Sequence, residues 1–242
     1  MMITVTQQIQ NVLRNRRFII FTLIFPSLWY LFFMYQFKNA VAFNATTLAV
    51  FSGMFGVAGS GINTFSTRVA REKKYYDFMN KISPYNKAKY LFDSLITQTM
   101  LNVMIILTIT LTGLLFGNMT IEFDYIKMVS ILMYYGFYYI IIGYILGTLF
   151  DDETLTSVSF PIFMGFMLIN LTPNAVSFNG LKFLGDVQKI FPGYYFNDAI
   201  SHIHDSQKVM VDFGIISIHL LIVLGLVSIV SMYKKYRTGR NA

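Results

Sequence analysis

The sequence predicts a single-domain, all-α membrane protein with six transmembrane helices, and three observations carry that prediction. Hydrophobic residues make up 55% of the 242-residue chain and charged ones only 13%, where a soluble domain carries roughly 25% charged residues. Mean hydropathy is +0.55, more apolar surface than one soluble core of this length can hide, so the bilayer supplies the rest. Apolar runs of about 20 residues, the length that crosses a bilayer, recur along the chain. Lysine and arginine are also unevenly shared between the connections. With both termini inside, 14 of the 19 fall on inner segments, leaving Lys38, Lys127, Lys182, Lys189 and Lys208 outside. That bias sets the orientation, because inner connections retain positive charge.

Residues 1–17 begin the chain as an interfacial helix. Met2, Val5, Ile9, Val12 and Leu13 share one face, and Arg14, Arg16 and Arg17 gather at its end; the pattern suits a helix lying on the inner leaflet. The first span runs from Phe18 to Phe37. Pro26 interrupts its inner half, which membrane helices tolerate, and Trp29 and Tyr30 lie too deep for an interfacial belt, so they pack on neighbouring helices. The second span, Thr46 to Thr67, contains GMFGVAGSG. No Gly-Lys-Ser/Thr follows, so this is not a phosphate loop; its small residues suit close helix approach.

The polar run 68–90 holds Arg68, Arg71, Lys73, Lys74, Lys81, Lys87 and Lys89 and sits between two apolar spans. Tyr75, Phe78, Met79 and Ile82 recur at spacings of three and four, leaving the charges on the opposite face. Ser83-Pro84 reads as an N-cap followed by proline at the first helical position, where the next helix restarts. The pattern predicts a short cytoplasmic helix that docks on a partner.

The third span, Leu91 to Phe116, carries a polar but uncharged face of Thr97, Thr99, Asn102, Thr108, Thr110 and Thr112. An outer loop precedes the fourth span, Ile126 to Phe150. Asp151, Asp152 and Glu153 form a short inner turn able to cap the fifth span, Thr154 to Leu171. The outer segment 172–212 reads as two short helices, Leu181 to Ile190 and Tyr194 to His204, broken at Pro192-Gly193. Each is too short to span, which predicts a hairpin re-entering the outer leaflet. The last span is Phe213 to Tyr233, followed by Lys234, Lys235, Arg237 and Arg240.

The chain has no cysteine, hence no disulfide, thiol catalysis or thiolate metal site. Neither a nucleotide-binding loop nor a His-Glu-x-x-His pair is present, so no catalytic and no metal-binding residue is assigned. His202 and His204, two apart, point to opposite sides of a helix. His219 in the last span reads as a packed histidine bonded to a neighbouring helix. The net charge of +7 is segregated to membrane-flanking segments, which argues for anionic headgroups rather than nucleic acid. Ion-coupled carriers place acidic or histidine residues in mid-membrane. Here the spans hold no central acid or base, and Asp93 lies near the inner end of its helix. Energy for uphill transport would therefore enter from outside the spans.

Taken in order, the interfacial helix, FPSLWYLFF with its inner-half proline, the Arg-Glu-x-Lys and Ser-Pro-Tyr-Asn-Lys-Ala-Lys connection, the Asp-Asp-Glu turn and LKFLGDVQKIFPGYYFNDAI resemble the permease subunits of ABC-2 type ATP-binding-cassette exporters over essentially the whole chain. The resemblance implies a multi-pass cell-membrane subunit with both termini cytoplasmic. It would pair with a second copy or a homologue and with two ABC ATPase subunits, which carry the ATP and magnesium; this chain would bind no cofactor. The N-terminal helix would serve as connector and the segment around Arg71, Glu72, Tyr75, Phe78 and Ile82 as the coupling helix. On the family's arrangement Asn63, Phe160, Phe163, Met167 and Asn170 would face the cargo, and Pro192 and Gly193 would form an outer gate. The cargo implied is an amphipathic peptide toxin, antimicrobial peptide, drug or lipid-like molecule. A membrane sensor or immunity protein that binds such a molecule without moving it is the alternative.

Overall fold

The computed structural model describes residues 2–39, 44–73, 87–117, 119–170 and 182–239. Within them the chain is helical, with no strand. Helix α1 (Met2–Leu13) is followed by α2, a continuous helical stretch over 16–37. Next come α3 (Ala45–Lys73), α4 (Lys87–Phe116), α5 (Phe123–Leu149), α6 (Asp152–Asn170), α7 (Lys182–Gln188), α8 (Pro192–Ser201) and α9 (Ser206–Gly239).

Among the described residues, four helices are long and apolar enough to cross a membrane: Ala45–Lys73, Lys89–Phe116, Phe123–Leu149 and Ser206–Val230. The other two expected spans, α2 and α6, each contain a proline. Helix α2 passes through a π-helical turn, Ile19–Ile24, in which the Phe25 N–H bonds to the Ile20 carbonyl, five residues back. Pro26 follows at once and has no N–H to give the ladder, and such one-turn π segments accommodate a proline inside a helix. Helix α6 begins DETLTSVS, with Pro161 inside it, and is described up to Asn170.

Helix α3 corrects a boundary. The second span was expected to stop at Thr67, with a separate cytoplasmic helix following. The helix instead runs on through Lys73, so Arg68, Arg71, Glu72 and Lys73 belong to it. No residue in that stretch caps or breaks a helix, and nothing in the backbone requires a stop where hydropathy changes. Segment 74–86, with Tyr75, Phe78, Ile82 and Ser83-Pro84, lies outside the described residues.

Helix α5 is central, packing on α3, α4, α8 and α9. Leu132, Tyr135 and Tyr139 of α5 meet Ile62 of α3, Ile105 of α4 and Phe196 of α8, all buried. The small residues of the second span let it approach α5 backbone to backbone. A Cβ on Gly61 would lie 3.0 Å from the Tyr139 main chain, and one on Gly143 would collide with the Gly61 carbonyl. Helix α9 stands at the edge; only 11% of its apolar window is buried. Ile218, Leu221, Ile222 and Ile229 face outward.

Candidate functional site: polar junctions at the two ends of the bundle

The inner junction, on the side that the charge bias assigns to the cytoplasm, gathers around Arg68 to Lys73 of α3, and successive residues there reach different helices. Arg68 lies over the Phe65 ring, 5.1 Å from its centroid, and its Nη2 donates to Gln98 Oε1 of α4 at 3.4 Å. Arg71 grips Asp152 at the start of α6 through Nε–Oδ2 (3.1 Å) and Nη2–Oδ1 (3.3 Å). Glu72 Oε2 accepts from the Tyr90 hydroxyl of α4 at 3.0 Å. Lys73 Nζ donates to the Thr148 carbonyl at 3.2 Å, placing a cation on the orphan carbonyls that end α5, where the helix dipole is negative.

Helix α1 completes this junction. Val5 and Val12 are buried, and Gln8 Oε1 accepts from the Thr97 hydroxyl at 2.9 Å. Farther in, Gln98 Nε2 donates to Ser60 Oγ of α3 at 2.6 Å. Of the polar face read from the third span, Thr97 bonds to α1 and Thr110 to the Tyr125 hydroxyl of α5, while Thr99, Thr108 and Thr112 donate to carbonyls of their own helix. The acidic turn caps α6 as its sequence predicts: Asp151 Oδ1 accepts the Thr154 N–H at 2.7 Å. That bond holds the Asp151 carboxyl below the usual carboxylate range.

The outer junction, at the opposite end of the bundle, centres on Asn170, the last described residue of α6. Its Oδ1 accepts from the Tyr135 hydroxyl at 3.0 Å, its Nδ2 donates to the Tyr139 hydroxyl at 2.9 Å, and its carbonyl accepts from Asn197 Nδ2 of α8. The two tyrosine hydroxyls are 3.0 Å apart, and the Tyr135 ring stacks on Phe196 with centroids 4.9 Å apart. Pro192 and Gly193 are both buried, and a Cβ on Gly193 would coincide with the Asn170 side chain. A third tie comes from α9, whose His219 Nε2 lies 3.0 Å from the Ile190 carbonyl in the turn before α8.

Here a second boundary is corrected. The break in the outer segment falls at 189–191, and Pro192 and Gly193 open α8 rather than interrupting a hairpin. Proline is preorganised for the first helical turn, where its missing N–H costs nothing.

Of the residues predicted to meet a partner, Arg71 and Glu72 are placed in the inner junction with partners in this chain, and Tyr75, Phe78 and Ile82 lie outside the described residues. Of those predicted to face cargo, Met167 and Asn170 are buried. Phe163 packs against Phe55, Asn63 is half-buried on the π-helical turn of α3, and Phe160 is exposed. Sequence reasoning missed Asp152, Tyr90, Thr148 and Gln98 as partners of the α3 extension. The DDE turn and the QTMLN polar face were visible, but nothing local says which basic residue each would meet. Among the described residues, no group of three metal-ligating side chains forms.

The fold is that of a helical membrane protein with four helices long and apolar enough to cross a bilayer among the described residues, cross-tied at one end and with α8 pinned to the bundle at the other. The comparisons point the same way. Over 163 residues, 65% of this chain, it is 24% identical to a protein of Bacillus subtilis (strain 168) named "Putative transport permease YvfS". The alignment spans 66% of that protein, just under two thirds of its length. No protein-family profile matches the chain, and no solved structure matches it. The likeness is to a transport permease, as that protein's name has it.

Proposed function

We propose that this chain is the permease subunit of an ATP-driven exporter that moves an amphipathic molecule out of the cytoplasm or inner leaflet. The observation that carries the proposal is the inner junction, read beside the transport-permease likeness. The end of α3 is bonded to α4, α5 and α6 through Arg68, Glu72, Lys73 and Arg71. A push on the segment after Lys73 would therefore reach three helices at once, and no catalytic or ion-binding chemistry inside the spans is needed.

In this reading the segment containing Arg71, Glu72, Tyr75, Phe78 and Ile82 receives a separate ABC ATPase, which binds the ATP and magnesium. The permease works as a pair with a second copy or a homologue in a six-span arrangement with both ends inside. Asn63, Phe160, Phe163, Met167 and Asn170 line the cargo path, and α8, entered at Pro192-Gly193, gates the outer end. An amphipathic cargo partitions into the leaflet first and tolerates apolar walls, so the absence of deep charges in the spans suits it.

The test is transport into inside-out vesicles holding the permease and its ATPase, with a fluorescent cationic amphipathic peptide as probe. ATP-dependent uptake that stops with a non-hydrolysable analogue supports export. Saturable peptide binding with no ATP-dependent uptake would instead identify a sensor or immunity protein.

A further inference from the structure

Where α8 turns into α9, the outer surface carries a cluster of charges that the junctions above do not use. Lys208 Nζ, in the first turn of α9, lies 3.1 Å from Asp198 Oδ2 of α8, and His202 Nδ1 lies 3.0 Å from Asp198 Oδ1. Both Asp198 oxygens are therefore occupied. Asp212, farther along α9, is only 4% exposed, and its Oδ2 has no hydrogen-bond partner among the described residues. The groups acting on it electrostatically are Asp198, Lys208 and His202.

The rest of the cluster is engaged elsewhere. Asp124 of α5 holds Lys127 (2.8 Å) and His204 (3.1 Å). Asp205 caps α9 by accepting the Gln207 and Lys208 N–H groups. Lys208 is thus the cation placed to serve Asp212, four residues along its own helix, a spacing at which side chains meet.

We propose that Lys208 is a two-position latch for α8. In the structure it holds Asp198 of that helix; when α8 withdraws, it transfers to Asp212 on its own helix. The closed arrangement satisfies Asp198 and leaves a buried carboxylate oxygen short of a partner, which is costly. The open arrangement gives Asp212 its cation and returns Asp198 to water at the rim. Asp212 thereby lowers the cost of opening, and Asp198 lowers the cost of closing. The inference rests on the reading of α8 as the outer moving element.

The test uses the absence of native cysteine. Ala199, fully buried on α8, is changed to cysteine in the full chain in nanodiscs, and its rate of reaction with a maleimide reports withdrawal of α8. Asp212→Asn should slow labelling and Asp198→Asn should speed it, each about fivefold, which corresponds to about 1 kcal/mol in a local opening equilibrium. In a Lys208→Gln background, Asp212→Asn should have no further effect. Slowing of equal size in that background, or an Asp212→Asn rate equal to or above the parent's, overturns the latch while leaving the gate intact. No labelling in any variant shows that α8 does not withdraw, which overturns both.

Discussion

Arg71 and Asp152, 81 positions apart in the chain, meet in a forked pair that fastens the inner end of α3 to the first turn of α6. The pair is solvent-facing, with the Arg71 side chain 68% exposed. Exposed pairs contribute only about 0–1 kcal/mol to stability, so its consequence is geometric: it sets α3 against the first turn of α6.

Reversing one partner at a time is therefore predicted to spare the fold and impair coupling. Arg71→Asp or Asp152→Arg should shift unfolding of the purified permease by no more than about 1 kcal/mol, yet reduce substrate-stimulated ATP hydrolysis by the partner. The double reversal should recover much of the stimulation. Equal loss in the double variant would show that the residues act separately.

Gly193 makes the sharpest local prediction. With no room between it and Asn170, Gly193→Ala should cost about 1–3 kcal/mol, the usual penalty for overpacking, read as reduced thermal stability in detergent. Asn170→Ala in the same chain should recover part of the loss by vacating the contested space. A Gly193→Ala protein as stable as the parent would show that α8 does not seat on Asn170.

The crossing of α3 and α5 predicts a contrast between two glycines. Gly143→Ala drives a methyl into the Gly61 carbonyl, whereas a Cβ on Gly165 meets nothing within 4 Å. Membrane abundance should fall for Gly143→Ala and hold for Gly165→Ala. Backbone against backbone leaves no flexible side chain to yield, so repacking cannot absorb the first change.

Much of this architecture is legible in the sequence, and the illegible parts share a cause. Hydropathy places α3, α4, α5 and α9 because crossing a bilayer demands a long apolar run. The small residues of GMFGVAGSG announce close packing because only they let backbones touch. Hydropathy is blind to where a helix ends, however. It stops the second span at Thr67, while the backbone continues to Lys73. Pro192-Gly193 reads equally well as a break or as a first turn, and the choice falls to Asn170. Of the candidate site, Arg71, Glu72, Asn170 and Gly193, which lie in the two junctions, were singled out from the sequence. Their partners Asp152, Tyr90, Tyr135 and Tyr139 were not, because contacts this far apart in the chain leave no periodic trace.

Topology is open to direct measurement in a chain without cysteine. With six spans and both ends inside, single cysteines replacing Lys38, Glu122 and Asn179 should react with an impermeant reagent on intact cells. Those replacing Lys74, Asp152 and Arg240 should react only after permeabilisation. Labelling at Lys74 from outside would place the junction on the wrong side of the membrane for an ATPase.

The proposal that a separate ATPase drives this permease through the segment after α3 is tested most directly by isolating the tagged chain from native membranes in mild detergent and assaying what comes with it. An ABC ATPase should co-purify with ATP-hydrolysing activity. Tyr75→Ala with Phe78→Ala should release it while the permease stays in the membrane, since buried aromatic anchors at an interface each contribute about 2 kcal/mol or more. A chain that purifies intact with no ATPase and no hydrolysis, or a complex unchanged by the double substitution, would contradict the account.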